Sequence, residues 1–315
     1  VTVQAGFVID KSPKKKGEER MSRFVGDRVR GILGAVLVPA ALLLFPFSTG
    51  ADSQQPKSPE GTSSKSGSEA LSIVKRMKEV IEPRAPSLHR IDMTVKSPSA
   101  YGKGSETAEK VAGMAVKDFP DGKRMLIVML TPEDVRGVAF LTQERKDRPD
   151  VMWTYVPAIR RVREIKATGL YENFLGTDFT YADLGFIELH DYYHLLGEEE
   201  RNGVRTYEIE EQVPQEWMYY SKVITWVAAD TMLPTERYYY DPAGDLLKTE
   251  AFQAVSVVDG VPTALRILMK EVEQDTSTEL RVRAVDYDKA LPDRLFDPAR
   301  LPLVLNEDVW KSCSP

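Results

Sequence analysis

The sequence predicts a mainly β chain of the α+β class, built on one large antiparallel sheet with few, short helices. Three observations carry this. From residue 90 to 288 apolar and polar residues alternate with period two in segment after segment, as strands with one wet face do. Turn pairs punctuate the segments at Asp121-Gly122, Asn202-Gly203, Pro242-Ala243-Gly244-Asp245 and Asp259-Gly260; Asn-Gly in particular tolerates the positive φ that a tight hairpin needs. Long helical patterns do not alternate with the strands, so the links are hairpins and not βαβ crossovers.

Taken in order, residues 1–50 carry eight Lys/Arg and four Asp/Glu, which leaves a body of net charge -10 in a chain of net -6. Met21 opens a pattern of Arg23, Arg28 and Arg30, then an apolar run from Gly31 to Phe47, then Ser48-Thr49-Gly50-Ala51. A basic start, an apolar middle and a small-residue end make a secretory signal, with cleavage expected between residues 48 and 53. The alternative is an uncleaved anchor, since the run is at the short end for crossing a bilayer. Residues 1–20, with Lys14-Lys15-Lys16, stand ahead of this signal pattern. Residues 51–68 hold Ser, Pro, Gly, Gln and Lys with no large apolar side chain, and read as a disordered linker. A body over 69–305 and a tail over 306–315 complete the expected organisation.

The body opens with a helix over residues 69–82. Ser66 and Glu69 have capping-box spacing, Leu71, Val74, Met77 and Ile81 form one apolar face, and Pro83 and Pro86 end it. Strands follow. Ile91, Met93 and Val95 alternate with polar neighbours, as do Tyr207 and Ile209, then Leu265, Ile267 and Met269, then Leu280 and Val282. Apolar runs bounded by turns add Met125–Leu130, Val138–Leu141, Val151–Val156 and Val223–Ala228. The total is about ten strands. Thr180–Leu189 reads as a short helix with Tyr181, Leu184 and Ile187 on one side. A terminal turn over Pro292–Leu301 offers Leu295, Phe296 and Leu301 for docking. So few helices cannot cover so large a sheet. It either closes on itself or leaves an apolar hollow.

One segment is distinctive. Trp153, Tyr155 and Pro157 are followed by Arg160, Arg161 and Arg163, and then by Gly176-Thr177-Asp178-Phe179-Thr180-Tyr181-Ala182-Asp183-Leu184. The order W-x-Y-x-P, an Arg-rich return strand, then G-T-D-F-T-Y-x-D-L resembles the LolA-like outer-membrane lipoprotein-sorting family, of the LolA/LolB carrier type. Leu295-Phe296-Asp297-Pro298-Ala299-Arg300-Leu301 resembles its closing motif, so the likeness spans roughly residues 70–305. It implies a strongly curved half-barrel of antiparallel strands wrapped over short helices, with an apolar cavity for acyl chains. It also implies a periplasmic carrier with no catalytic residues. Its partners would be lipid acyl chains or lipoproteins, an inner-membrane transporter and an outer-membrane receptor. No cysteine follows the apolar run, so attachment to lipid as in LolB is not expected, and the body is longer than the classical carrier's.

Read physically, Val151, Trp153 and Tyr155 share one strand face, and Pro157 stops that strand. Asp178 is expected to cap the 180–189 helix and Asp183 to sit in its first turn, where negative charge is favoured. Pairing of these carboxylates with Arg160, Arg161 or Arg163 would tie hairpin to helix; alternatively the arginines hold a lid or a lipid headgroup at the cavity mouth. Strand parity nominates Leu126, Val128, Val138, Phe140, Trp153, Tyr155, Leu265, Ile267 and Met269 as cavity lining, with an error of one register sending any of them to the other face.

Other chemistries are weakly supported. A single cysteine, Cys313, excludes a disulfide framework within the chain. The acidic body argues against nucleic acid. There is no P-loop, dinucleotide fingerprint or G-x-S-x-G, and no cofactor is expected. His190 and His194, with Asp178, would be the ligands of a metal-dependent hydrolase. In a strand, however, the two histidines would stand on the order of 13 Å apart, so no metal site is expected. An accessory role beside an envelope transporter is the remaining alternative.

Overall fold

A computed structural model describes residues 60–82, 85–99, 104–145, 149–213 and 219–313. The signal pattern at 21–51 and the first part of the expected linker lie outside these residues. Among the described residues one α-helix, α1 (Glu60–Ile81), precedes thirteen strands. They are β1 (Ser87–Pro98), β2 (Ser105–Phe119), β3 (Gly122–Thr131), β4 (Ala139–Gln143), β5 (Val151–Val156), β6 (Arg161–Glu164), β7 (Tyr193–Arg201), β8 (Val204–Gln212), β9 (Lys222–Ala228), β10 (Pro234–Tyr240), β11 (Leu246–Val258), β12 (Val261–Glu271) and β13 (Thr276–Asp286). All belong to one open antiparallel sheet in the order β6-β5-β4-β3-β2-β1-β13-β12-β11-β10-β9-β8-β7. This is the strongly curved, half-barrel type of sheet expected, with more strands than were counted.

The topology is two meanders joined edge to edge. Strands β1–β6 form one, β7–β13 the other, and β1 pairs with β13 through Met93↔Leu280 and its neighbours. The link from β6 to β7, residues 165–192, must therefore travel from one edge of the sheet to the other. It does so with 3-10 turns at Ala167–Gly169 and Phe174–Gly176 and one isolated bridge, Asn173↔Thr180.

Register assigns the faces. On the inner face, Ile91, Met93, Met125, Ile127, Met129 and Phe140 meet Phe174 and Phe186 of the crossover. Further along, Ala70, Ile73, Val74 and Met77 of α1 pack on Tyr193, Ile209 and Val227. On the outer face, Leu126, Val128, Ala139 and Leu141 are buried by Leu295, Phe296, Leu301, Val304 and Trp310. The docking expected of Leu295, Phe296 and Leu301 is present and continues to Trp310, whose indole N–H donates to the Val304 carbonyl at 2.7 Å.

Two local expectations change. Helix α1 starts at Glu60, so Ser66 lies within it and not at its cap; its hydroxyl donates across to the Leu195 carbonyl of β7 at 3.0 Å. Thr180–Leu189 is no helix but a turn followed by irregular chain. The three-residue spacing of Tyr181, Leu184 and Ile187 arises because the segment crosses an apolar floor. Among the described residues no helix is long and apolar enough to cross a membrane.

The outer seam generates a stability test. A Cβ on Gly113 of β2 would lie 2.4 Å from Cε3 of Trp310, a ring that is 3% exposed. Gly113→Ala is expected to lower stability by about 1–3 kcal/mol, as overpacking does, and to expose Trp310. Urea unfolding followed by tryptophan fluorescence measures both.

Candidate functional site

The inner face of the first meander is apolar and rich in methionine. Met93, Met114, Met125, Met129 and Met152 all belong to it. Methionine is unbranched and polarisable, so such a floor adapts to irregular apolar shapes. Over it lie aromatic rings of the crossover: Phe174 and Tyr181 stand 5.9 and 5.4 Å from Phe140, ring centre to ring centre.

The nine nominated lining residues do not converge. Val138 and Phe140 lie on the inner face under the crossover, and Ile267 and Met269 lie on the same face further along. Leu265 shares their parity on β12 and is half-buried. Leu126, Val128, Trp153 and Tyr155 face the other way and are covered by the C-terminal turns. The cause is that both faces of β3 are buried. Its run Met125–Leu130 is apolar throughout, and parity alone cannot tell inside from outside in such a strand. Two surface depressions, of about 540 and 390 Å³, border Lys289, Arg294, Glu307 and Lys311 in one case and Val204, Arg205 and Asp230 in the other. Neither includes a nominated residue.

What holds the crossover down is polar. Thr180 N–H donates to Asp183 Oδ2 at 2.7 Å, and Asp183 N–H returns to Thr180 Oγ1 at 3.2 Å. The same carboxylate pairs with Lys248 of β11, both side chains being 3% exposed, and accepts from the Tyr220 hydroxyl at 3.0 Å. Lys248 also donates to the Asp178 carbonyl at 3.3 Å. Asp178 accepts from the hydroxyls of Thr276 and Thr278 on β13, and its own N–H donates to Thr278 Oγ1. Both aspartates therefore anchor an irregular segment to the sheet. Arg160, Arg161 and Arg163 do not take part. They are exposed on and beside β6, with Arg160 in the left-handed region at φ 50° after the Pro157–Ile159 turn. The hairpin-to-helix ion pair expected from sequence is absent because Lys248 and the threonines already hold the carboxylates.

Sequence reasoning missed Lys248, Glu250 and Arg237, which cluster here with Tyr220 and Tyr239. Tyr239 donates to Glu250 at 2.8 Å, and Arg237 approaches the same carboxylate at 3.5 Å. Burial pushes the Glu250 carboxyl above its usual range, opposed by the Arg237 charge beside it. The signal was available in β11, where Lys248, Glu250 and Phe252 share one parity. Polar residues at an inward parity mark a network, but not its partners.

A second cluster ties α1 to the end of the crossover. Lys78 donates to Glu82 at 2.7 Å, to Glu144 at 2.9 Å and to the Ile187 carbonyl at 2.8 Å. Glu82 also accepts from Ile187 N–H at 2.8 Å. Nearby, burial raises the Asp150 carboxyl to about 7, with Glu188 and Glu144 adding repulsion against the Arg145 N–H bond. The hydrolase constellation does not assemble. His190 bonds Glu211 at 3.0 Å and stacks on Tyr193 at 4.4 Å, while Asp178 is held by threonines. Among the described residues no group of three or more His, Cys, Asp or Glu could hold a metal.

A family model described as uncharacterized protein matches residues 121–302, more than half of the chain. Among solved structures, a domain assigned to outer-membrane lipoprotein sorting in Vibrio parahaemolyticus is 26% identical, with a TM-score of 0.68 over 75% of this chain and 99% of that one. A DUF1329 family protein from Desulfovibrio piger is 25% identical, with the same TM-score and coverage. A LolA superfamily protein from Nitrosomonas europaea shares the fold at 20% identity and TM-score 0.58, over 72% of this chain and 97% of that one. No curated protein matches by sequence.

Two tests follow from the anchoring groups. Breaking a buried ion pair from one side strands the other charge, at about 3–5 kcal/mol. Asp183→Asn or Lys248→Met is expected to lose stability on that scale in urea unfolding, and the double variant to lose less than the sum. Asp150, raised in the folded protein, binds a proton there that the unfolded chain releases. Its contribution is present below pH 3.8 and is lost as pH rises through about 7. Asp150→Asn should therefore raise the melting temperature above pH 7 and leave it unchanged below pH 3.8.

Proposed function

From the premise that this chain belongs to the family of uncharacterized proteins matched over residues 121–302 and carries the LolA-like lipoprotein-sorting fold, we propose that it is a periplasmic carrier of acylated cargo. The observation that carries this reading is the methionine-rich inner floor covered by chain without regular secondary structure. A regular helix over the same floor could leave only as a unit. An irregular strap held by a few polar anchors can be displaced piecewise, and its aromatic side chains occupy the volume that an acyl chain would take. Each methylene removed from water contributes roughly 0.8 kcal/mol, so a fatty chain can compete with the rings of Phe174 and Phe186 for the same surface.

In this reading Phe140, Ile267 and Met269 form part of the floor. Leu126, Val128, Trp153 and Tyr155 serve instead to seat the C-terminal turns. The signal pattern from Met21 to Ala51 supports export, and the resemblance supports loading at an inner-membrane transporter and delivery to an outer-membrane receptor. No side chain is assigned a catalytic role.

Phe174→Ala empties part of the occupied volume. Truncating a buried phenylalanine costs about 3–5 kcal/mol, and an apolar void of this kind binds apolar guests. The variant is expected to melt lower than the parent and to recover stability when a fluorescent fatty acid is added, with tighter uptake than the parent. Thermal unfolding and fluorescence titration measure this. A variant that gains nothing from the ligand, together with a parent that yields no lipid in native mass spectra of envelope-purified protein, would overturn the carrier reading.

A further inference from the structure

We propose that the β6 edge of the sheet is a docking surface for an anionic membrane. Strand β6 is one of the two edges of the sheet and, among the described residues, pairs only with β5. Between Ile159 and Lys166 the chain carries four cationic side chains and one carboxylate, Glu164. Lys166 pairs with Glu164 at 2.6 Å. That leaves Arg160, Arg161 and Arg163, all exposed and without a hydrogen-bond or ion-pair partner for their guanidiniums among the described residues. Elsewhere the surface cations are mostly matched, as Arg294 is by Glu307 and Lys117 by Asp293. Three unmatched guanidiniums within four residues are out of character for this acidic body.

Apolar side chains flank them. Ile159 is 52% exposed at the head of the strand, and Leu303 is 51% exposed on the Pro298–Asn306 turn that packs beside β6. Basic residues with exposed aliphatic neighbours are the composition by which a protein rests on anionic lipid, the cations meeting headgroups and the apolar tips entering the boundary. The charge of the remaining body complements this, because an acidic surface is repelled by the same membrane and turns the basic edge toward it. A strand of four residues presents too short a ladder to favour capture of a peptide by strand addition. The inference goes beyond the carrier reading and does not rest on it.

The test places an environment-sensitive fluorophore at Ile159→Cys in the full chain, in a Cys313→Ser background so that only the new thiol is labelled. It is titrated with vesicles of phosphatidylcholine alone, or of phosphatidylcholine with phosphatidylglycerol. A blue shift on anionic vesicles only is expected, weakening as salt rises. Each basic residue near such a surface contributes about fivefold, so Arg160→Gln/Arg161→Gln/Arg163→Gln should weaken the response on the order of 100-fold. That variant should keep its melting temperature. Arg205→Gln, at an exposed cation on the far meander, should leave the response unchanged. The proposal is overturned by any of three results: a probe that stays silent on anionic vesicles, one that responds equally on neutral vesicles, or a triple variant that responds like the parent. A probe that responds to an acidic peptide and not to vesicles would overturn it as well.

Discussion

Pairing of β1 with β13 joins residues such as Asp92 and Arg283, which meet at 2.8 Å although 191 residues apart in sequence. Before that pairing there are two separate meanders, each with an apolar face too small to enclose anything. After it there is one sheet whose ends are β6 and β7, and the chain between those strands has nowhere to run except across the inner face. The position of the crossover is thus a consequence of one strand pair. So is its burden, because it and α1 must together cover an inner face that a single helix cannot.

The crossover meets that burden with short turns and not a continuous helix, its backbone bonding largely to itself, as Phe174 N–H does to the Phe179 carbonyl at 2.7 Å and Ala182 N–H to the Leu170 carbonyl at 2.8 Å. Its polar side chains supply the ties to the sheet. Asp178 and Asp183 provide them, reaching β13 through two threonines and β11 through Lys248. Buried charges held in this way stabilise one arrangement sharply, and removing either partner leaves an unmatched charge. An apolar strap over an apolar floor would slide; the ionic anchors fix its register. The floor stays adaptable because it is methionine, while the strap stays indexed because it is polar.

How much of this could be read from sequence depended on whether an element has one buried face or two. Val151–Val156 was readable to the residue, and the strands around Ile91, Tyr207, Ile267 and Leu280 were recognisable because polar residues mark their wet sides. In β3 both faces are dry, so Leu126 and Val128 were placed inside when they belong outside. The crossover was misread as a helix because Tyr181, Leu184 and Ile187 recur at helical spacing, yet Tyr181 and Leu184 pack on the floor of the first meander and Ile187 beside α1. Asp178 and Asp183 stood out in the motif, but their partners lay beyond any local pattern: Lys248 is 65 residues from Asp183. A three-residue repeat and a conspicuous carboxylate are local facts, whereas the contacts that explain them are set by topology.

The central strand pair also bears on the order of events during synthesis. Strand β1 lies near the start of the described chain and β13 near its end, so the joint that makes one sheet cannot form until Thr276–Asp286 has left the ribosome. Folds dominated by such distant pairings assemble slowly. Until that strand is made, β1 lacks its second neighbour and the sheet stays in two parts. The export proposed above would then act on a chain whose sheet is not yet joined, and β1 would meet β13 only after crossing.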